Sequence, residues 1–159
     1  MRVICAGLMA SAAIAASSAF AESGADDVTS NSVWISPGFW SRHFDRSAGY
    51  REDNIGLGAE LDFSPDLFVQ AGSYINSDRA RSHYAGGAWE PFERWGIRAG
   101  IYGGAFDGYP AMRNGGWFIA AFPMISMRTD RIGLNLTAIP NYGNRLHGAL
   151  VAQVLFRVW

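Results

Sequence analysis

Apolar and non-apolar residues alternate with period two along much of this chain. In the stretch NIGLGAELDF, Ile55, Leu57, Ala59, Leu61 and Phe63 form one face, and Gly56, Gly58, Glu60 and Asp62 form the other. DLFVQAGSYIN sets Leu67, Val69, Ala71 and Ile75 against Phe68, Gln70, Gly72 and Tyr74, with Ser73 the single interruption. WGIRAGIYGGAF and RIGLNLTAIP repeat the pattern. Strict alternation marks a strand with two unlike faces. Less regular stretches at 33–44, 83–90, 116–127 and 147–158 bring the expected number of strands to eight.

The connections alternate as well. Ser64-Pro65-Asp66, Glu93-Arg94 and Thr129-Asp130 read as tight turns, whereas 45–53, 76–83, 107–115 and 140–146 are longer and polar. Short turns at one end and long loops at the other describe an up-and-down barrel with both chain ends on the short-turn side. Trp34, Trp40, Trp89, Trp95 and Trp117 fall near expected strand ends, where interfacial aromatics belong.

Two barrels fit that pattern. A soluble barrel of lipocalin type turns its apolar face inward and its charged face to water. A membrane barrel does the reverse. Here the non-apolar faces are mostly glycine with single Glu, Gln, Arg or Asn residues, too thin for a water-facing wall. Composition agrees: 17% of residues are charged, against roughly 25% in ordinary soluble domains. The expectation is an all-β fold, a single eight-stranded antiparallel outer-membrane β-barrel. Such a wall leaves lumen space in the outer half for an acyl chain, a detergent tail or packed aromatics.

The first residues read MRVICAGLMASAAIAASSAFAES: a basic Arg2, an apolar run and Ala19-Phe20-Ala21 before Glu22. That is the pattern of a secretory leader over 1–21. Residues 22–32, ESGADDVTSNS, carry no apolar stripe and read as a disordered lead, so the barrel is expected over 33–159. The only cysteine, Cys5, lies in the leader, which excludes a disulfide-stapled domain. Every basic residue is arginine; without Arg2, twelve of them face 14 acidic residues. No basic excess points to nucleic acid.

The stretch YINSDRARSHYAGGAWEP resembles the outer-membrane lipid A palmitoyltransferases, the PagP type, in its aromatic-x-[D/N]-S … A-G-x-x-W-E spacing. FPMISMRTDRIGLNLTAIP, with Pro123 and its Ile-Pro end, resembles that family's last proline-bearing strands, and WISPGFWSRHF its first. The resemblance implies an enzyme that moves an acyl chain from a phospholipid to lipid A with a His, an Asp and a Ser at the outer rim, as a monomer and without a cofactor or metal. The family's serine falls on Ser77. Its aspartate falls on Asn76, which lacks a carboxylate. Its histidine falls on Ser41 without gaps, but His43 lies on the same strand face about 7 Å further along. A glycine that floors the family's acyl pocket falls on Ala88.

The candidate catalytic set is therefore His43, Asn76 and Ser77. His43 would remove a proton, Ser77 would act as nucleophile or oxyanion donor, and Asn76 would orient the imidazole or donate to the oxyanion. Arg42, Arg46, Arg51, Arg79 and Arg81 fall in or beside the first two outer loops and suit lipid phosphates. Each could equally pair with Asp45, Glu52, Asp53 or Asp78. Pro123 and Pro140 each remove a ladder donor and would weaken pairing near strands six and seven. His43, His83 and His147 lack metal-ligand spacing. Two other functions fit the same fold: a non-catalytic barrel serving envelope integrity or surface contact, and a lipid A deacylase.

Overall fold

The structure, a computed structural model, describes residues 31–142 and 147–159. The leader 1–21, all but the last two residues of the lead 22–32, and part of the loop 140–146 lie outside the described residues. Eight strands form: β1 (Ser32–His43), β2 (Asp53–Ser64), β3 (Leu67–Ile75), β4 (Arg81–Arg94), β5 (Ile97–Phe106), β6 (Phe118–Arg128), β7 (Ile132–Ile139) and β8 (Ala149–Arg157). Each pairs antiparallel with its neighbour, and β8 returns to β1, so the sheet closes into a barrel. A closed barrel leaves no sheet edge with unpaired backbone groups. The all-β, eight-stranded expectation holds.

The two faces of the wall are unlike. Ile55, Leu57, Ile101, Ile119, Leu150 and Phe156 point outward and are exposed. Glu60, Gln70, Glu90, Ser126, Asn135 and Gln153 point inward and are buried.

Two local expectations are corrected. The turn placed at Glu93-Arg94 lies at Trp95-Gly96, because β4 runs on to Arg94 and both turn residues take positive φ, +57° and +76°. This pairing of left-handed residues matches the twist of a two-residue hairpin. Trp34 is no interfacial anchor; it points inward, 2% exposed, and donates its Nε1–H to Asp62 Oδ2 at 2.8 Å.

The inner glycines carry packed rings rather than bare space. A Cβ added at Gly58 or Gly72 would strike Tyr84, and one added at Gly86 or Gly104 would press on the Tyr102 hydroxyl. The two tyrosines thus lie across the glycine positions of the wall. Toward the short-turn end the lumen is closed. Arg128 Nη2 meets Glu60 Oε1 at 2.5 Å, and Asn135 donates to Glu60 Oε2 at 2.8 Å while accepting from Arg128 Nη1 at 2.8 Å. Asn135 also donates to Gln153, and Ser126 donates to Glu90 at 2.6 Å. Beside this network, Phe68, Ala88, Tyr102, Phe122 and Met124 form an apolar cluster.

Candidate functional site

One glycine decides which residues of β1 reach the lumen. Trp34 and Ser36 point inward, then the ladder to β2 shifts register between Ser36 and Gly38, and Ser41 and His43 point inward instead. Gly38 has φ +125°, and an added Cβ would collide with the Asn54 carbonyl. Such a bulge needs glycine. Without the shift, period two would send Arg42 inward and His43 to the outside.

Above the plug, the outer half of the lumen holds a cavity of about 150 Å³. His43 and Ser77 both line it, at its mouth. Ser41, the gap-free position of the family's histidine, shares the inward face with His43, and its hydroxyl accepts from Asn54 Nδ2 at 2.8 Å. The imidazole of His43 lies 4.6 Å from the Tyr50 ring, tilted by 33°, and His147 lies 5.0 Å from the same ring. Glu52, Asp78 and His147 are the titratable groups close enough to act on His43.

Asn76 does a different job from its neighbour. Fully buried, it donates from Nδ2 to Ser82 Oγ and the Gly108 carbonyl, both at 2.9 Å. Its Oδ1 accepts from the backbone N–H of Asp78 at 2.9 Å and of Ala80 at 3.0 Å. An amide has two donors and two acceptor lone pairs, so all four are used. Asn76 folds the β3–β4 loop and ties it to the β5–β6 loop, while Ser77 is left facing the cavity. The Ser77 carbonyl accepts from the Arg51 N–H at 3.0 Å, which docks the first outer loop on the second.

The sequence reading missed three contributors. Asp78, two residues after Asn76, brings a carboxylate to the cavity. His147 arrives from the start of the last strand's lead-in, and Tyr109 from the β5–β6 loop. Tyr109 and Tyr74 hydroxyls lie 2.8 Å apart, and burial pushes the Tyr109 hydroxyl up to about 12. That bond holds the β5–β6 loop over the lumen. None of these convergences follows from spacing along the chain.

Ala88 lies outside the cavity lining, 2% exposed within the cluster that includes Tyr102 and Phe122, two residues that do line it. It faces the lumen and packs in that cluster without lining the cavity itself. The arginines stay on the outside of the rim. Arg42 is 4.0 Å from Glu52, Arg79 donates to the Gly49 carbonyl at 3.3 Å, and Arg81 donates to Ser73 Oγ at 3.3 Å. Arg51 is held by Asp53 at 3.1 Å, and Arg46 is exposed. Among the described residues, no three His, Cys, Asp or Glu side chains gather as a metal site.

The wall itself is uneven beside the cavity. β6 matches β7 over five residue pairs, Met124 to Arg128, whereas β5–β6 has ten and β7–β8 eight. The ladder stops at Met124, next to Pro123, and on the other side β7 ends at Ile139, before Pro140. The unpaired outer part of this seam carries Phe122 and Ile139, both of which line the cavity. No family model matches the chain, and no curated protein matches it in sequence.

Proposed function

We propose that this chain is an outer-membrane enzyme that moves an acyl chain from a phospholipid to lipid A or a related glycolipid. The observation that carries the reading is that His43 and Ser77, brought from β1 and the β3–β4 loop, face one lumen cavity flanked by an unpaired seam in the wall. The membrane part rests on the outward apolar face, with Ile119 87%, Leu57 68% and Ile55 62% exposed. Trp40, Phe44 and Trp117 near the loop end and Phe63, Phe92 and Trp95 near the turn end are placed as two aromatic girdles.

In this reading the acyl chain lies in the cavity with its ester at the mouth. His43 takes the proton of the attacking hydroxyl, with Asp78, on the same cavity, in the place of the carboxylate that Asn76 does not supply. The attacking oxygen forms the new ester bond to the acyl carbon. The bond to the donor's glycerol oxygen breaks, and the proton passes to that leaving alcohol. Ser77 serves as the first nucleophile or donates to the oxyanion, while Arg42, Arg46, Arg79 and Arg81 meet lipid phosphates from outside the rim.

The test is mass spectrometry of lipid A from cells carrying the wild type, Ser77→Ala or His43→Ala, at matched amounts of inserted barrel. A gain of one acyl mass that disappears in both variants supports the transferase. Loss of an acyl mass in the wild type alone assigns a deacylase with water as acceptor. Identical spectra leave a non-catalytic barrel.

A further inference from the structure

A polar row interrupts the outward face of the wall near the loop end. Alternation in β3 breaks at Ser73, which sets a hydroxyl among Val69, Ala71 and Ile75. Ser73 lies directly opposite His83 of β4. On the other side of His83 stands Asp107, the residue after β5, whose N–H donates to the His83 carbonyl at 3.2 Å and so extends the β4–β5 ladder. Serine, histidine and aspartate thus stand side by side on neighbouring strands, and none of them lines the lumen cavity.

The row is wired in one direction. Asp107 Oδ2 lies 3.0 Å from His83 Nδ1, and its Oδ1 accepts the His83 backbone N–H. A carboxylate on Nδ1 keeps the ring proton there and leaves Nε2 as the base. Opposite residues of an antiparallel pair hold their Cβ atoms about 4.5–5.5 Å apart, which puts Ser73 within reach of an imidazole. The Ser73 hydroxyl accepts from Arg81 Nη1 at 3.3 Å rather than bonding to His83, which leaves its own proton to give. The His83 side chain is 51% exposed and that of Asp107 17%, so the base is open to the outside while its anchor is covered.

The surroundings suit a lipid. Toward the short turns, Ala71, Ala85 and Ala105 share the next outward row, and Gly87 and Gly103 the one after, so a chain can lie flat against the wall. Trp117, half exposed beside Phe118, sets the row at the depth of interfacial aromatics, because Phe118 pairs with Phe106, next to Asp107.

From this arrangement we infer that Ser73, His83 and Asp107 form a second reactive site on the outer wall, which hydrolyses an acyl ester of a glycerophospholipid. The Ser73 oxygen attacks the ester carbon and gives its proton to His83 Nε2, while Arg81 N–H groups meet the developing oxyanion. The bond to the glycerol oxygen breaks, and the proton passes to that leaving alcohol. Water then gives a proton to His83 and attacks the acyl carbon, and the proton returns to Ser73 as the fatty acid leaves. Asp107 positions the ring without touching substrate. This site needs neither His43 nor Ser77, only the outward placement of the row in lipid.

The test uses the purified barrel in mixed micelles with dioleoylphosphatidylcholine, followed for released oleate. A parallel sample is treated with a fluorophosphonate, which labels activated serines, and the labelled residue is located by peptide fragmentation. The expected result is oleate release with the adduct on Ser73. His83→Gln should slow both labelling and release about a hundredfold or more, the usual worth of a positioned base. Asp107→Asn keeps an oxygen for the His83 N–H, so the urea midpoint should hold while labelling slows together with hydrolysis. An adduct on Ser77 alone overturns the inference and leaves the lumen reading standing. Absence of oleate release or of any adduct, or labelling of Ser73 unchanged in His83→Gln, overturns it as well.

Discussion

The two halves of the lumen use the same kinds of residue to opposite ends. Toward the short turns, Glu60, Arg128, Asn135 and Gln153 are joined by hydrogen bonds of 2.5–3.2 Å, and the barrel is shut. Around the cavity, His43, Asn54, Gln70 and Tyr102 are nearly as inaccessible, and each carries an atom without a partner in the structure. Polar character therefore does not mark the site. Unpaired atoms occur in both halves, Glu90 Oε1 and Arg128 Nε among the plug residues, so what separates plug from site is the dense hydrogen-bond network on one side and the open cavity on the other.

The strongest way to break this contrast is to unpair the plug. Arg128→Ala leaves Glu60, with 0% of its side chain exposed, without its counter-charge. Stability to urea in micelles should fall by about 3–5 kcal/mol, the usual loss when one partner of a buried pair is removed. Asn76→Asp comes next. It installs the aspartate of the palmitoyltransferases that the sequence resembles, yet it sets a carboxylate oxygen against the Gly108 carbonyl where an amide donated. A loss of about 1–3 kcal/mol should follow, read in the same titration, and acyl transfer should fall rather than rise.

Gly38→Ala should cost about 1–2 kcal/mol through its strained backbone and remove His43 from the lumen. Lost lipid A modification in a barrel that still inserts would be the signature. Ser77→Ala should leave stability within about 0.5 kcal/mol, since its side chain faces the cavity, and should abolish the acyl mass gain.

The smallest effect concerns pH. The Tyr109 hydroxyl titrates at about 12 in the folded chain, against about 10 when unfolded. Its contribution to holding the β5–β6 loop is therefore full below about pH 10 and lost as the pH rises through about 12. Tyrosinate absorbance in the wild type and Tyr109→Phe should separate this titration from that of exposed tyrosines.

How far the sequence could be read depended on the range of the interaction involved. β2, β3, β5 and β7 were legible because alternation is local. β1 looked irregular because its faces exchange at the Gly38 bulge, and that irregularity was itself the sign of the feature that turns His43 inward. The turn at Trp95-Gly96 was displaced in the reading because nothing local announces a tryptophan at φ +57°. His43 and Ser77 came from the resemblance, and both line the cavity. Asn76's role was not legible, since two of its partners, Ser82 and Gly108, lie six and 32 residues away. Asp78, Tyr109 and His147 reach the cavity only through loop docking, which leaves no periodic trace.

The seam between the first and last strands sets the order in which this molecule can be assembled. Val33 and Trp159 exchange backbone hydrogen bonds at 3.0 and 3.3 Å, and Val158 donates to Val33 at 2.8 Å. β1, which carries His43, therefore waits with an open edge until β8 arrives from the far end of the chain. Contacts of such sequence separation form late and slowly. Until then, both strands are sticky templates for wrong partners. The cavity mouth comes into being only at that final stitch, so a barrel with a formed mouth and a completed one are the same kinetic event.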